Sequence, residues 1–499
     1  MNLKTLTKKL SHWLTKLQAF GFGVLLLVLI EGAFRLGGFG DNTLGNDPLV
    51  GFSSLEALFA LDPDTDNYQT RRERYPYFIQ ESFPQQKGKD TFRIFAFGGS
   101  TVQGRPYSIA TAFPKWLQIN LETAFPNKKF EVINCGGISY ASYRLVPIIE
   151  ECLEYQPDLF ILCTGQNEFL EARTYDSIKR LAKPLGSSVK VISKLATYKA
   201  MDSLYRRFRG TEPAEVSENK PTMKREVDAL LDYRRGLEAY HRDPKWQWGV
   251  ITHFQENIKR IDTISQQAGV PLVILNPPIN LKDTPPFKSQ HHSNLSDPQK
   301  VAYKDWIQQA NDHYKTDPRK AAQYLRWAID LDPDYALAHY SLGHCYLAIG
   351  QFSRAEESFE TALIEDVCPL RIQPNMRNFV NNFCSKSHIP YLDLQVLMKG
   401  HTSAAVLGSE MLVDHVHPSI HGHQIIAEAT AELLFENLLI DQKPTDWESK
   451  RDEAYKAHFE TLDPLYYSYG KLRLENLLLW TKGETEGPAI EMHRPIQSQ

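Results

Sequence analysis

Five short runs constrain this chain more than anything else in it. Residues 93–97, 129–134, 158–163, 270–275 and 389–394 are built around Phe, Ile, Leu and Val. Runs of this length and composition read as strands buried in a sheet. Between the first three lie stretches with apolar residues at helical spacing. One is 110–125, with Phe113, Trp116, Leu117, Ile119 and Leu121, and the other is 144–155. Strand–helix–strand repetition predicts right-handed βαβ units and a parallel sheet, hence an α/β fold. The first run passes directly into Gly98-Gly99-Ser100-Thr101. Two glycines let the backbone turn sharply and approach another group closely. The residue they deliver, Ser100, stands at the rim where open α/β sheets bind ligands. It either caps the next helix or acts as a nucleophile, and a nucleophile needs a base from elsewhere in the chain.

At 499 residues there is room for two or three domains, taking about 100–200 residues for each. A net charge of −4 gives no electrostatic footing for a nucleic-acid partner. Cys135, Cys152, Cys163, Cys345, Cys368 and Cys384 stand singly. Without a CxxC pair they suggest neither zinc nor a disulfide framework, and Cys135 and Cys163 read as small buried hydrophobes. Lys4, Lys8, Lys9 and Lys16 precede an apolar run over 17–34 that is interrupted by Gln18 and Glu31. Basic flank followed by apolar core predicts an uncleaved anchor crossing the membrane through residues 17–36, with everything beyond about residue 40 translocated. The alternative for that run is a buried N-terminal helix. Residues 37–90, rich in Gly, Asp, Asn, Pro and Gln, read as a connector. Residues 175–265 look charged and helical, with Tyr205–Arg209 as a solvated helix face.

Between the fourth and fifth runs lies a second pattern. Leu342, Gly343, Tyr346, Gly350, Ala355, Phe359 and Ala362 fall at the spacings of a tetratricopeptide repeat, and Ala321, Leu325, Ala328 and Pro333 suggest a weaker unit before it. Small residues let two antiparallel helices approach, and large ones fill the groove between units. Two units are too few to bury such a core alone, so the pair is expected to lean on the α/β domain. A plain helical hairpin is the alternative. Such repeats imply a protein partner.

After the fifth run comes Asp414-His415-Val416-His417-Pro418, then Ser419 to His423 and a helix over 424–438. An Asp three residues before a His on a tight turn can reach back to the imidazole Nδ1, leaving Nε2 free to take a proton from a serine. The competing reading is a metal site made of Asp414, His415, His417, His421 and His423. His421 and His423 otherwise read as partly exposed or capping residues of the final helix.

Gly98-Gly99-Ser100-Thr101, Gly165-Gln166-Asn167-Glu168 and Asp414-His415-Val416-His417-Pro418 occur in that order on a βαβ frame. Together they resemble the GDS(L), GxND and DxxHP blocks of the SGNH/GDSL hydrolases. The resemblance covers about 91–175, 246–280 and 385–440. It implies a flavodoxin-like three-layer α/β fold interrupted by the tetratricopeptide-like segment. The expected divisions are 1–36 (cytoplasmic stub and anchor), 37–90, 91–300 with a helical insertion at about 175–245, 301–369 (repeats), 370–440, and 441–499, whose helices pack on the repeats or the sheet. It further implies that Ser100 is the nucleophile, His417 the base and then the acid, and Asp414 the group that orients it. The side-chain amide of Asn167 and the N–H groups of Ser100 and Ser139 would receive the oxyanion, and Arg105 would line the substrate cleft. The chain departs from the pattern in three places. Gly99 replaces an Asp, Glu168 replaces an Asp and is expected to brace its loop, and Ser139 stands where the family has a glycine. The implied activity is a membrane-anchored extracytoplasmic serine esterase, without cofactor or metal, on an acyl ester such as an acetylated carbohydrate. The alternatives are an O-acyltransferase using the same residues and an inert scaffold recruiting a protein through its repeats.

Overall fold

The computed structural model describes residues 47, 49–52, 56–173, 222–224, 226–232, 236–437, 440 and 445–482. The expected anchor, the start of the connector, Tyr205–Arg209 and the tail from 483 lie outside them. Among the described residues no helix is long and apolar enough to cross a membrane. The chain forms two compact units, Met1–Gly51 with Thr174–Met223, and Phe52–Arg173 with Lys224–Gln499. In the first, Asp47 Oδ1 accepts the N–H groups of Leu49 and Val50. The second unit holds the sheet, the repeats and all three sequence blocks.

Its opening residues are more structured than a connector. Strands β1 (Phe59–Asp62), β2 (Asn67–Thr70) and β3 (Ser82–Pro84) form an antiparallel meander. Segments this short carry too few residues for an alternation to register. The meander covers the start of the main sheet. The Phe83 ring meets Phe95 edge-on at 5.6 Å, and the buried Arg93 guanidinium binds Glu131 at 2.7 Å and the carbonyls of Tyr155 and Pro84. Burying Arg93 is tolerable because its charge is paired and its donors are used.

The main sheet consists of β4 (Thr91–Gly98), β5 (Lys129–Gly136), β6 (Leu159–Cys163), β7 (Leu272–Asn276) and β8 (Tyr391–Asp393). All neighbours are parallel, in the order β8-β7-β6-β4-β5. Counted by position in the chain this is the 2-1-3-4-5 order, which reverses between β4 and β6. The five runs thus become the five strands. Ile94, Ala96, Ile161 and Val273 join the core formed with α2 (Phe113–Ala124), α11 (Ile420–Glu436) and α12 (Trp447–Glu460). Phe95, Phe97 and Phe160 interlock with one another, and Phe95 also reaches Tyr155. The helices in between are α1 (Ser100–Gln103), α3 (Ser142–Cys152) and α4 (Pro244–Ala268). All six cysteines are buried free thiols.

The repeats are two helical hairpins, α5 (Asp297–His313) with α6 (Pro318–Leu331), and α7 (Ala336–Ala348) with α8 (Phe352–Glu365). Ala321, Ala328, Ala355 and Ala362 are buried where the helices approach. The pair leans on the α/β frame, as two units must. Arg242 binds Glu365 at 2.5 Å and the Asp334 carbonyl at 2.6 Å, and α9 (Pro374–Ser387) packs against α8, α4 and β7. Helix α10 (Leu394–Gly400) follows β8 directly. The C-terminal helices pack on α2 and on the loop behind Ser100. Trp447 Nε1 donates to Asn120 O, and Tyr455 lies edge-on to Trp116. In α13 (Pro464–Thr481), Tyr466 Oη bonds to Thr111 Oγ1 at 2.8 Å, and Arg473 donates to the Tyr107 carbonyl.

Candidate active site

The strand order reverses between β4 and β6, and the first two sequence blocks leave those strands. β4 ends at Gly98, where an added Cβ would overlap the Cys163 carbonyl of the neighbouring strand and the Val102 side chain. At Gly99 a Cβ would overlap the Asn167 amide nitrogen. Only residues without side chains permit this turn, and the turn sets Asn167 beside the start of α1. Gly99 is the N-cap of that helix and Ser100 its first residue. The capping reading of Ser100 therefore fails, because its hydroxyl is engaged elsewhere.

It is engaged with His417. Ser100 Oγ lies 2.8 Å from His417 Nε2, and His417 Nδ1 lies 2.6 Å from Asp414 Oδ2. The other carboxylate oxygen, Oδ1, accepts the N–H groups of Val416 and His417 at 2.8 and 2.7 Å. The turn is closed by Val413 N–H on the His417 carbonyl, and Ser419 caps α11 by accepting from Gly422. Burial opposes the charge on Asp414. The imidazoles of His417 and His415 and these hydrogen bonds outweigh it, and they hold the carboxyl well below its usual range. An ionised Asp on Nδ1 leaves Nε2 as the acceptor for the serine proton.

Asn167 donates to the Tyr140 carbonyl at 3.0 Å, which fixes the plane of its amide and leaves one N–H. On the β5 side, Gly136 N–H is taken by Asn134 Oδ1, Gly137 N–H by Gly98 O, Ile138 N–H by Tyr77 O and Tyr140 N–H by Gly137 O. Of the N–H groups over 136–140, only that of Ser139 has no acceptor among the described residues. Ser139 also adopts φ +61°, a left-handed conformation that costs a residue with a Cβ about 1–3 kcal/mol and survives only where its surroundings impose it. Glu168 braces the loop as expected, accepting from Ser142 N and Oγ at 2.7 and 3.0 Å.

Arg105 is buried, and α13 covers its loop: Tyr466 Oη donates to the Ser108 carbonyl and Arg473 to the Tyr107 carbonyl. Burial and the nearby Arg473 pull its pKa down to about 9, against the opposing pull of Asp414. The histidine cluster does not converge on one point. Among the described residues no group of three or more His, Cys, Asp or Glu is placed to hold a metal ion. His417 is committed to Ser100 and Asp414, His421 is exposed, and His423 is fully buried with its Nδ1 accepting from Phe113 N–H. His415 packs edge-on against Phe287.

Burial pushes the pKa of His415 down to about 4 and that of His423 down to about 3. In the unfolded chain both take up protons below about pH 6.5. Folding is therefore favoured most above that pH. The stability is lost as pH falls towards the folded values, at up to about 1.4 kcal/mol per pH unit for each histidine. His423→Asn keeps an acceptor for Phe113 N–H and removes one of these protons. The urea midpoint of this variant should decline less between pH 7 and pH 5 than that of the parent, and identical slopes would remove His423 from the acid response.

The tetratricopeptide repeat family model matches residues 315–367. The repeats carry their own groove of about 560 Å³, lined by Arg326, Trp327, His339 and Arg354 among others. No curated protein matches the chain in sequence. Among solved structures it is similar to Axe2, an acetylxylan esterase from Geobacillus stearothermophilus, at 11% identity and TM-score 0.31, over 70% of this chain and 96% of that one. A G-D-S-L family protein from Desulfitobacterium hafniense gives 11% identity and TM-score 0.30, over 68% and 99%. The lipase/acylhydrolase from Enterococcus faecalis gives 11% and 0.29, over 69% and 96%. In the order of its three blocks the chain resembles the SGNH/GDSL hydrolases, and a tetratricopeptide segment is set between the second block and the third.

Proposed function

We propose that the chain is a serine esterase that cleaves acyl esters through an acyl-enzyme. The observation that carries this reading is the relay from Asp414 through His417, a bond of 2.6 Å, to Ser100, a bond of 2.8 Å that joins residues 317 positions apart in sequence. Ser100 Oγ attacks the ester carbonyl carbon while His417 Nε2 takes its proton. The charge that develops on the carbonyl oxygen is met by the N–H groups of Ser100 and Ser139 and by the Asn167 amide. Collapse expels the alcohol, which receives the proton from His417, and water repeats the sequence on the acyl-enzyme. An acetylated carbohydrate is the substrate class we favour, and the lysine-flanked apolar run at 17–36 anchors the enzyme with its catalytic unit outside the cytoplasmic membrane.

The test is release from an activated acetyl ester together with labelling by a serine-reactive phosphonate that does not cross membranes. Applied to intact spheroplasts, the reagent should modify Ser100 in a protein recovered with the membrane fraction. Equal release by parent and Ser100→Ala, or a label mapping elsewhere, would sink the reading. Asn167→Ala should lower kcat by about 100- to 1000-fold with little change in KM, because the amide acts on charge that exists only in the transition state. A loss confined to KM would instead make Asn167 a ground-state contact.

A further inference from the structure

Asn280 follows β7 in a loop outside every block of the resemblance, and it is 1% exposed. Each of its polar groups is used. Its N–H donates to the His415 carbonyl at 3.1 Å, and Nδ2 donates to the Asp414 carbonyl at 3.0 Å and to Ser409 Oγ at 3.3 Å. Oδ1 accepts from Asp283 N–H at 3.0 Å, and its carbonyl accepts from Arg371 Nη1, also at 3.0 Å. Two consecutive carbonyls of the turn that presents His417 thus hang from one side chain and its own backbone.

We propose that Asn280 is a positioning residue for the base: it fixes the backbone of Asp414 and His415, and through them the point from which His417 reaches Ser100. The inference rests on the serine-esterase reading above. Asn280 is in turn held from behind by a buried arginine. Arg371 binds the Thr284 carbonyl at 2.9 Å, approaches Asp366 at 3.4 Å and lies over the Phe287 ring. Asp366 directly follows α8, the last repeat helix, and accepts the N–H groups of Phe287 and Lys288. From α7, Tyr340 Oη donates to the Lys282 carbonyl at 2.6 Å. The repeats thereby form the footing of the loop that holds the base turn. Displacing a reacting group by about 1 Å can cost about 100-fold in rate, so a support this close to Asp414 acts on turnover and not on substrate binding.

The experiment compares the full-length parent with Asn280→Ala, Asn280→Asp and Ser100→Ala. It reads kcat, KM, the unfolding midpoint, and the low-field proton resonance of the imidazole N–H between His417 and Asp414. Asn280→Ala is expected to lower kcat about 10- to 100-fold with KM within about twofold, and to shift or broaden that resonance. In Asn280→Asp the buried carboxyl donates to the Asp414 carbonyl only while protonated. This variant should lose kcat as pH rises through the pKa of the introduced carboxyl, a dependence that the parent lacks. A folded Asn280→Ala protein with parental kcat and an unmoved resonance overturns the proposal. Should that variant fail to fold, an Asn280→Asp protein with the parent's kcat, pH profile and resonance overturns it instead. If the parent hydrolyses no ester, the esterase reading fails by itself. The resonance, retained in Ser100→Ala and perturbed in Asn280→Ala, still decides the positioning role.

Discussion

Ser100→Ala should reduce ester turnover by about 10⁴-fold or more and abolish phosphonate labelling, while the folded protein survives almost unchanged. The size of the loss follows from the hydroxyl's single task. Among the described residues Ser100 Oγ bonds only to His417 Nε2, and Gly99, not Ser100, caps α1. Alanine is well tolerated at the first position of a helix, so the change in stability should stay within about 0.5 kcal/mol. Removing the oxygen leaves the base and the oxyanion donors in place, and these alone retain some rate over water. Residual release should therefore be slow and show no burst of acyl-enzyme. Parental turnover in the variant would show that the ester is cleaved without this serine, and the inert-scaffold reading would then gain ground.

Asp414→Asn carries the second large effect, about 10⁴-fold in kcat. Among the described residues the carboxylate accepts hydrogen bonds from His417 Nδ1 and from the N–H groups of Val416 and His417, and the His415 imidazole lies 3.6 Å from Oδ1. An amide can keep the shape, but its NH2 can face Nδ1 and so favour the tautomer that carries the proton on Nε2. That nitrogen can then no longer accept from Ser100. The loss should lie in kcat with KM nearly unchanged, and the low-field imidazole resonance should vanish. Retention of activity within about tenfold would mean that His417 does not depend on this carboxylate for its orientation. A stability effect runs alongside. The folded-state pKa of Asp414 is depressed, so its ionised form stabilises the fold above the unfolded pKa of about 3.9 and that contribution is lost as pH falls below it. The variant should lack this part of the parent's acid unfolding.

The parts of this protein legible in the sequence are those written in local pattern. The five strand runs are local, as are the Gly98-Gly99-Ser100 turn, the three-residue spacing of Asp414 and His417, and the seven repeat positions. Each depends on residues within about one turn or one strand of each other. What escaped notice depends on distant partners. The meander over 59–84 is held by Phe83 on Phe95 and by Arg93 on the Pro84 carbonyl, contacts that no short window contains. Nothing near Arg105 announces that Tyr466 and Arg473, more than 350 positions later, fold over its loop. His423 read as a helix cap or partly exposed residue, yet it is buried because Phe113 supplies its Nδ1 with a donor. Asn280 had one signal, its place at the carboxyl end of a parallel strand, but an asparagine after two prolines reads first as a turn residue. Ser139 stands out by its place in the family pattern, and the structure adds a physical reason: its neighbours' N–H groups are already taken.

The wide separation of Ser100 and His417 along the chain has a consequence during biosynthesis. A polypeptide emerging from the ribosome exposes its nucleophile 317 residues before its base exists. The helix that folds over the neighbouring loop, with Tyr466 and Arg473, is made later still. On the esterase reading, a chain that ends short of His417 has the hydroxyl without its base and should leave esters in the compartment where it is made untouched.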